Sequence, residues 1–178
     1  MSIEFLSFSY KVPSEPSKNR VYIWRALKNL GAIYLQQGVA LLPNREDILV
    51  KLNKLDSLVK ESFEGKSTLS KLQFINEVDE NDIISEFTNQ SLDEYDEFIK
   101  NCKHLIYEID IEINMENFNF SELEEVEGNL KKLKLWLKKI KNRDYFNTPN
   151  SKDAELFLDE VETKINLFAS LVYKKENI

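Results

Sequence analysis

Little in this chain invites covalent or metal chemistry. It has one cysteine, Cys102, and one histidine, His104, both inside one long helical pattern. A single cysteine excludes an intramolecular disulfide, and one residue of each kind cannot complete a zinc site within the chain. Only four glycines occur, none clustered, so no glycine-rich loop is available to cradle a phosphate. No G-x-S-x-G is present, and no Ser/His/Asp or Cys/His set assembles around a lone helical histidine. The acids Glu77, Asp79, Glu80 and Asp82 lack the glycine and the spacing of a calcium loop. No apolar run approaches about 20 residues, and no signal-peptide pattern appears. These absences predict a cytoplasmic, soluble protein that is not an enzyme, holds no metal or cofactor and does not enter a membrane.

What is present is a core and an uneven charge. With 178 residues and 42% apolar content the chain can bury a real core without staples. The net charge of −7 argues against nucleic-acid binding, but its distribution matters more. Residues 1–66 carry net +3, residues 76–127 net −15 and residues 128–146 net +6. Blocks of this kind predict distinct faces, or helices that attract one another across a bundle.

The hydrophobic pattern predicts an α+β fold in two parts. Ile3–Val12 reads as a strand, and Pro13 and Pro16 end it and set up a helix with Ser14 or Ser17 as N-cap. On that helix Tyr22, Ile23, Ala26, Leu27 and Leu30 share one side, and Gly31 ends it. Two short strands follow, Ala32–Gln37 and Val39–Leu42, with a turn or bulge near Gly38. Pro43 and Asn44 cap a second helix with the stripe Ile48, Leu52, Leu55, Val59 and Phe63, closed by Gly65. Ser67–Asn76 reads as a fourth strand. The order β-α-β-β-α-β is that of the ferredoxin-like split βαβ unit, here assigned to residues 1–78.

Residues 79–178 read as a long antiparallel three-helix bundle. Ile84, Phe87, Ser91, Tyr95, Phe98, Cys102, Leu105, Ile109 and Ile113 keep steps of three and four, which predicts one helix of about 35–40 residues. Ser121–Glu124 reads as a capping box opening a helix with Leu123, Val126, Leu130, Leu133, Leu137 and Ile140. Ser151 caps the last helix, with Ala154, Leu158, Val161, Ile165, Phe168 and Val172 inside. Phe118 and Phe120 are expected at the end of the bundle.

The chemistry-bearing candidates are basic. Arg20, Arg25 and Lys28, with Lys11 and Lys18 nearby, put several donors on one short helix whose N-terminus adds a positive dipole end. An arginine fork suits a DNA phosphate or a free tetrahedral oxyanion equally. The competing expectation is that these cations pair with the domain's own acids and that Trp24 covers the core. A second basic stretch holds Lys131, Lys132, Lys134, Lys138, Lys139, Lys141 and Arg143. It is either charge-paired with the acidic long helix or a DNA-backbone contact, for which Lys131, Lys134, Lys138 and Arg143 are the candidates.

The segment from Tyr10 to Pro43 follows the pattern Y-x-[VL]-P-x-x-P-[ST]-x-x-R-V-x-[VI]-W-R-x-L-K-x-L-G-A-x-x-L-Q-x-x-V-x-x-L-P. It resembles the N-terminal domain of the chromate resistance protein ChrB family, densely over residues 6–43 and collinearly to about residue 173. The resemblance implies a chromate-responsive regulator or accessory protein. Its carriers are the matching positions Arg20, Trp24, Arg25, Lys28, Gln36 and Gln37, and its implied partners are promoter DNA and chromate or another tetrahedral oxyanion. A homodimer is expected. Two departures stand out: the acidic total is unusual for a DNA binder, and no helix-turn-helix signature occurs. The alternative is a structural module that dimerises through its sheet and engages a protein through its long helices.

Overall fold

The computed structural model describes residues 3–175. Four strands and five helices run in the order β1 (Phe5–Lys11), α1 (Ser17–Asn29), β2 (Ile33–Gln36), β3 (Val39–Pro43), α2 (Glu46–Glu61), β4 (Lys66–Leu72), α3 (Glu77–Asn114), α4 (Phe120–Arg143) and α5 (Asn150–Lys175). The chain divides into two compact units, residues 1–88 and 89–178.

In the first unit the strands form one antiparallel sheet in the order β2-β3-β1-β4. The central strand β1 is buried on both faces, which its sequence foretells: Phe5, Leu6 and Phe8 are all apolar and enclosed. Phe5 meets Phe74 edge-on and stacks on Phe87 of α3, with centroids 6.2 Å apart. From α1 only Ile23 and Leu27 are fully buried, and from α2 Ile48, Leu52, Leu55 and Val59. Enclosing each of these side chains stabilises by about 1.5–3 kcal/mol. β4 is the opposite edge strand to β2, and every residue in it is at least partly exposed.

Several local expectations need correction. α1 starts with Pro16 in the cap position and no side-chain cap; neither Ser14 nor Ser17 serves. Proline suits the site because its missing N–H is one the first turn would leave unpaired anyway. Tyr22 is 53% exposed, its ring meeting Phe63 edge-on. The α2 helix begins two residues later than expected, with Arg45 at its cap. After α2 the left-handed residue is Glu64, with φ 51°, and not Gly65. Gly65 is needed for space instead: a Cβ there would sit 2.8 Å from the Lys11 carbonyl and 2.6 Å from a Val12 methyl. Gly31 does end α1, as expected. At φ 73° it donates to Lys28 O, and Ala32 N donates to Leu27 O, which is the Schellman arrangement.

The second unit has one apolar cluster drawn from α3, α4 and α5, with Tyr95, Phe98, Cys102, Ile109, Ile140, Val161 and Phe168 at its centre. α3 runs unbroken for 38 residues, as its periodicity predicts. In its first turns Ile83, and not Ile84, is the buried isoleucine, and Ile84 lies half-buried beside it. The cap of α4 is Asn119, whose side chain accepts from Glu122 N at 3.0 Å, and Ser121 lies inside the helix. Ser151 likewise lies inside the first turn of α5. Phe118 packs against Phe168, and Phe120 against Tyr173. Asp144 organises the α4–α5 turn: it accepts from Tyr95 Oη, Thr148 N and Thr148 Oγ1. Burial, with the nearby Asp144 charge, pushes the Tyr95 hydroxyl up to about 12. Burial also pushes the Cys102 thiol up to about 11.

Two glycines should respond oppositely to alanine. Gly38 has φ 77°, and a Cβ there would meet the Tyr10 carbonyl at 2.8 Å, whereas Gly128 lies in mid-helix with nothing within 4 Å. Gly38→Ala is expected to destabilise by about 1–3 kcal/mol. Gly128→Ala is expected to stabilise by about 0.5–1 kcal/mol. Urea unfolding midpoints of both variants against wild type check the pair.

Candidate functional site

Three of the sequence candidates in the first unit, Lys11, Arg20 and Gln37, converge where the end of β1, the start of α1 and the β2–β3 turn meet. Tyr10 N donates to Gly38 O at 2.8 Å, which holds the hairpin tip beside the end of β1. Arg20, in the first turn of α1, donates from Nη2 to Ser14 O at 3.0 Å, so its guanidinium is anchored to the turn that precedes it. Between these elements lies a hollow of about 410 Å³ lined by Tyr10, Lys11, Val12, Arg20, Gln37 and Gly38. A second hollow of about 260 Å³ lies against Ser17, Arg20, Val21 and Trp24, so Arg20 borders both.

The chemistry of the larger hollow is that of a donor set. Lys11 and Arg20 supply positive charge, Gln37 an amide and Tyr10 a hydroxyl, and no carboxylate is among its lining residues. Tyr10 Oη lies 3.4 Å from Tyr34 Oη. Burial and this hydrogen bond raise the Tyr34 pKa well above the ordinary phenol value. A fork with its own anchor, a second cation and neutral donors can hold a small oxyanion.

The exposed face of α1 carries the rest. Trp24 does not cover the core: it is 47% exposed, and Lys28 Nζ lies 5.0 Å from its ring centroid. Arg25 is exposed and lines neither hollow, as is Gln36 at the end of β2. Among the described residues Lys11, Lys18, Arg20, Arg25 and Lys28 form no ion pair. The expectation that Arg20 and Arg25 are consumed by the domain's own acids therefore fails. No periodicity argument decides this point, because pairing depends on which acids the sheet brings near.

The second basic stretch divides. Arg143 is bound to Glu94 of α3, its Nε donating at 2.9 Å. Lys134 pairs with Glu162 of α5 at 2.8 Å, and Lys141 with Glu155 of α5. Lys131 and Lys138 are exposed and form no ion pair among the described residues. Of the four candidates for a DNA-backbone contact, then, two are committed to structural pairs. Charge pairing does occur, but mostly with α5 and not with the acidic long helix. The sequence reading passed over Tyr10 and Tyr34; the alternation Phe8, Tyr10, Val12 on one strand face was the available signal for the first of them. Among the described residues no group of three or more His, Cys, Asp or Glu side chains is placed to hold a metal ion.

The model of the family described as "Protein ChrB, N-terminal" matches residues 20–178. The match takes in Arg20, Trp24, Arg25, Lys28, Gln36 and Gln37, and it leaves Lys11 and the proline turn outside. No curated protein and no solved structure matches.

Exposure sets the stability cost of changing α1. Trp24→Ala removes a ring that is half in water and is expected to cost under about 1 kcal/mol, well below the 3–5 kcal/mol typical of a core aromatic. The Arg25→Ala, Lys28→Ala double variant should lie within about 0.5 kcal/mol of wild type. Thermal melts of both test this assignment; a loss of several kcal/mol in either would place these side chains in the core.

Proposed function

The chain belongs to the ChrB N-terminal family, and on that premise we propose that it is a cytoplasmic, non-enzymatic regulator or accessory protein of chromate resistance that binds a tetrahedral oxyanion. The observation that carries this reading is the hollow at Arg20, where two cations without acidic partners meet neutral donors. Its lining has no carboxylate, imidazole or thiol, which suits reversible binding better than turnover. The strand order β2-β3-β1-β4, with a helix after β1 and another after β3, supports a ferredoxin-like unit as the frame. The shared apolar cluster of α3, α4 and α5 supports a three-helix bundle in the second unit. The outer edge of β4 offers a surface for a homodimer.

A second reading has its own support. Arg25, Lys28 and the half-exposed Trp24 lie on one helix outside the larger hollow, and a phosphate backbone of promoter DNA would satisfy them. The further alternative, a module engaging a protein through its long helices, would be favoured by an exposed apolar seam on α3. The seam Phe87, Tyr95, Phe98, Cys102, Leu105 and Ile109 is buried, which counts against it.

Equilibrium dialysis of the full chain against chromate, with molybdate as a redox-inert analogue, tests the oxyanion reading. Saturable binding is expected, weakened about tenfold to a hundredfold in Arg20→Ala and also reduced in Arg20→Lys, which keeps the charge but loses the fork. Arg25→Ala with Lys28→Ala should leave it unchanged. No saturable binding up to about 10 mM, or equal binding by Arg20→Lys and Arg20→Ala and wild type, would sink the oxyanion reading. Promoter-DNA binding that falls steeply with salt and disappears in the Arg25/Lys28 variant would establish the second reading instead.

A further inference from the structure

The second unit has a hollow that nothing in this reading uses. It lies between α3 and α4 and measures about 350 Å³, within the range of small-molecule pockets. Its floor is Leu105 and Leu133, both more than nine-tenths buried. One wall is Trp136, whose ring is held edge-on against Phe98 with centroids 5.5 Å apart. That contact fixes the indole plane, so the wall is rigid before any ligand arrives.

The rim decides the charge of what would sit there. Glu108 lies 3.3 Å from Nδ1 of its i,i+4 neighbour His104, a partner that carries charge only when protonated, and both belong to the α3 side of the rim. Lys132 has none of that kind: its Nζ donates only to the neutral Asn129 Oδ1, at 3.2 Å. An ammonium has three donors, so Lys132 keeps two for a ligand. An apolar floor, a flat aromatic wall and a cation with unspent donors together define a ligand with a planar ring and an anionic group.

We propose that the hollow between α3 and α4 is a binding site for a planar aromatic carboxylate. The ring lies over Leu105 and Leu133 beside Trp136, and the carboxylate is held by Lys132. The site is independent of the hollow at Arg20, which belongs to the other unit.

Two-dimensional ¹⁵N–¹H spectra of the full chain test it, because the chain has only two tryptophans and their indole N–H signals are resolved from the backbone. Trp24→Phe assigns the remaining indole signal to Trp136. Titration with 2-naphthoate is expected to shift the Trp136 signal saturably and to leave the Trp24 signal in place. Lys132→Gln should weaken the affinity about tenfold, and the neutral 2-naphthylmethanol should bind about tenfold more weakly than the acid. The same spectra report whether Lys132→Gln is folded. No saturable shift of the Trp136 signal up to about 10 mM 2-naphthoate overturns the proposal. So does equal binding of acid and alcohol, which would leave an apolar crevice with no role for Lys132.

Discussion

The hydrogen bond from Tyr10 N to Gly38 O governs the geometry of the first unit's polar end. It joins the hairpin tip to β1 just where β1 stops pairing with β3, and the carbonyl of Tyr10 comes so close that Gly38 has room for no side chain. Gly38 must also hold φ 77°, which glycine adopts without strain. With the tip pinned, Gln37 and Lys11 are set on either side of a gap. Arg20 completes that gap from α1, restrained by its bond to the Ser14 carbonyl. Removing the close approach would widen the gap before any charged group was touched.

Charge is arranged in two ways in this molecule. Around α1 the cations lack acidic partners among the described residues, and their field projects into solvent. Along α4 they are partly neutralised: Lys134, Lys141 and Arg143 each hold an acid of a neighbouring helix. Apart from Arg143 with Glu94, these pairs are between about a third and a half exposed, so they contribute little to stability. Arg143 with Glu94 is the exception in burial, and it sits next to the Asp144 cluster that fixes the α4–α5 turn. On α1 no cation holds an acid, whereas on α4 paired and unpaired cations are interleaved.

Sequence reading recovers elements better than their ends. The strands and helices from β1 to α5 follow from alternation and from steps of three and four, because burial of one face is a property of the whole segment. Caps are decided by one backbone group each. At Pro16, Asn119 and Asn150 the chain starts its helix one to a few residues away from the serine that a motif would choose. Ser121 shows why: Asn119 reaches Glu122 N first, so the serine is drawn into the helix. Trp24 stays half-exposed for a related reason. It lies at the edge of the apolar arc, and two buried residues, Ile23 and Leu27, already fill the space over the sheet. The pairing of Lys11, Arg20 and Gln37 in one hollow was legible only as a shared neighbourhood in sequence; the approach that unites them is made by Gly38.

The buried thiol of Cys102 has a consequence for redox chemistry. Nucleophilic attack by cysteine on an oxidant requires the thiolate, and the first step on the oxidation ladder requires that the sulfur be reached. Cys102 meets neither condition: it is enclosed among Phe98, Leu105 and their neighbours, and its pKa of about 11 keeps it protonated at neutral pH. An oxidant in solution would find the one thiol of this chain enclosed and protonated, so that sulfur would stay out of electron transfer.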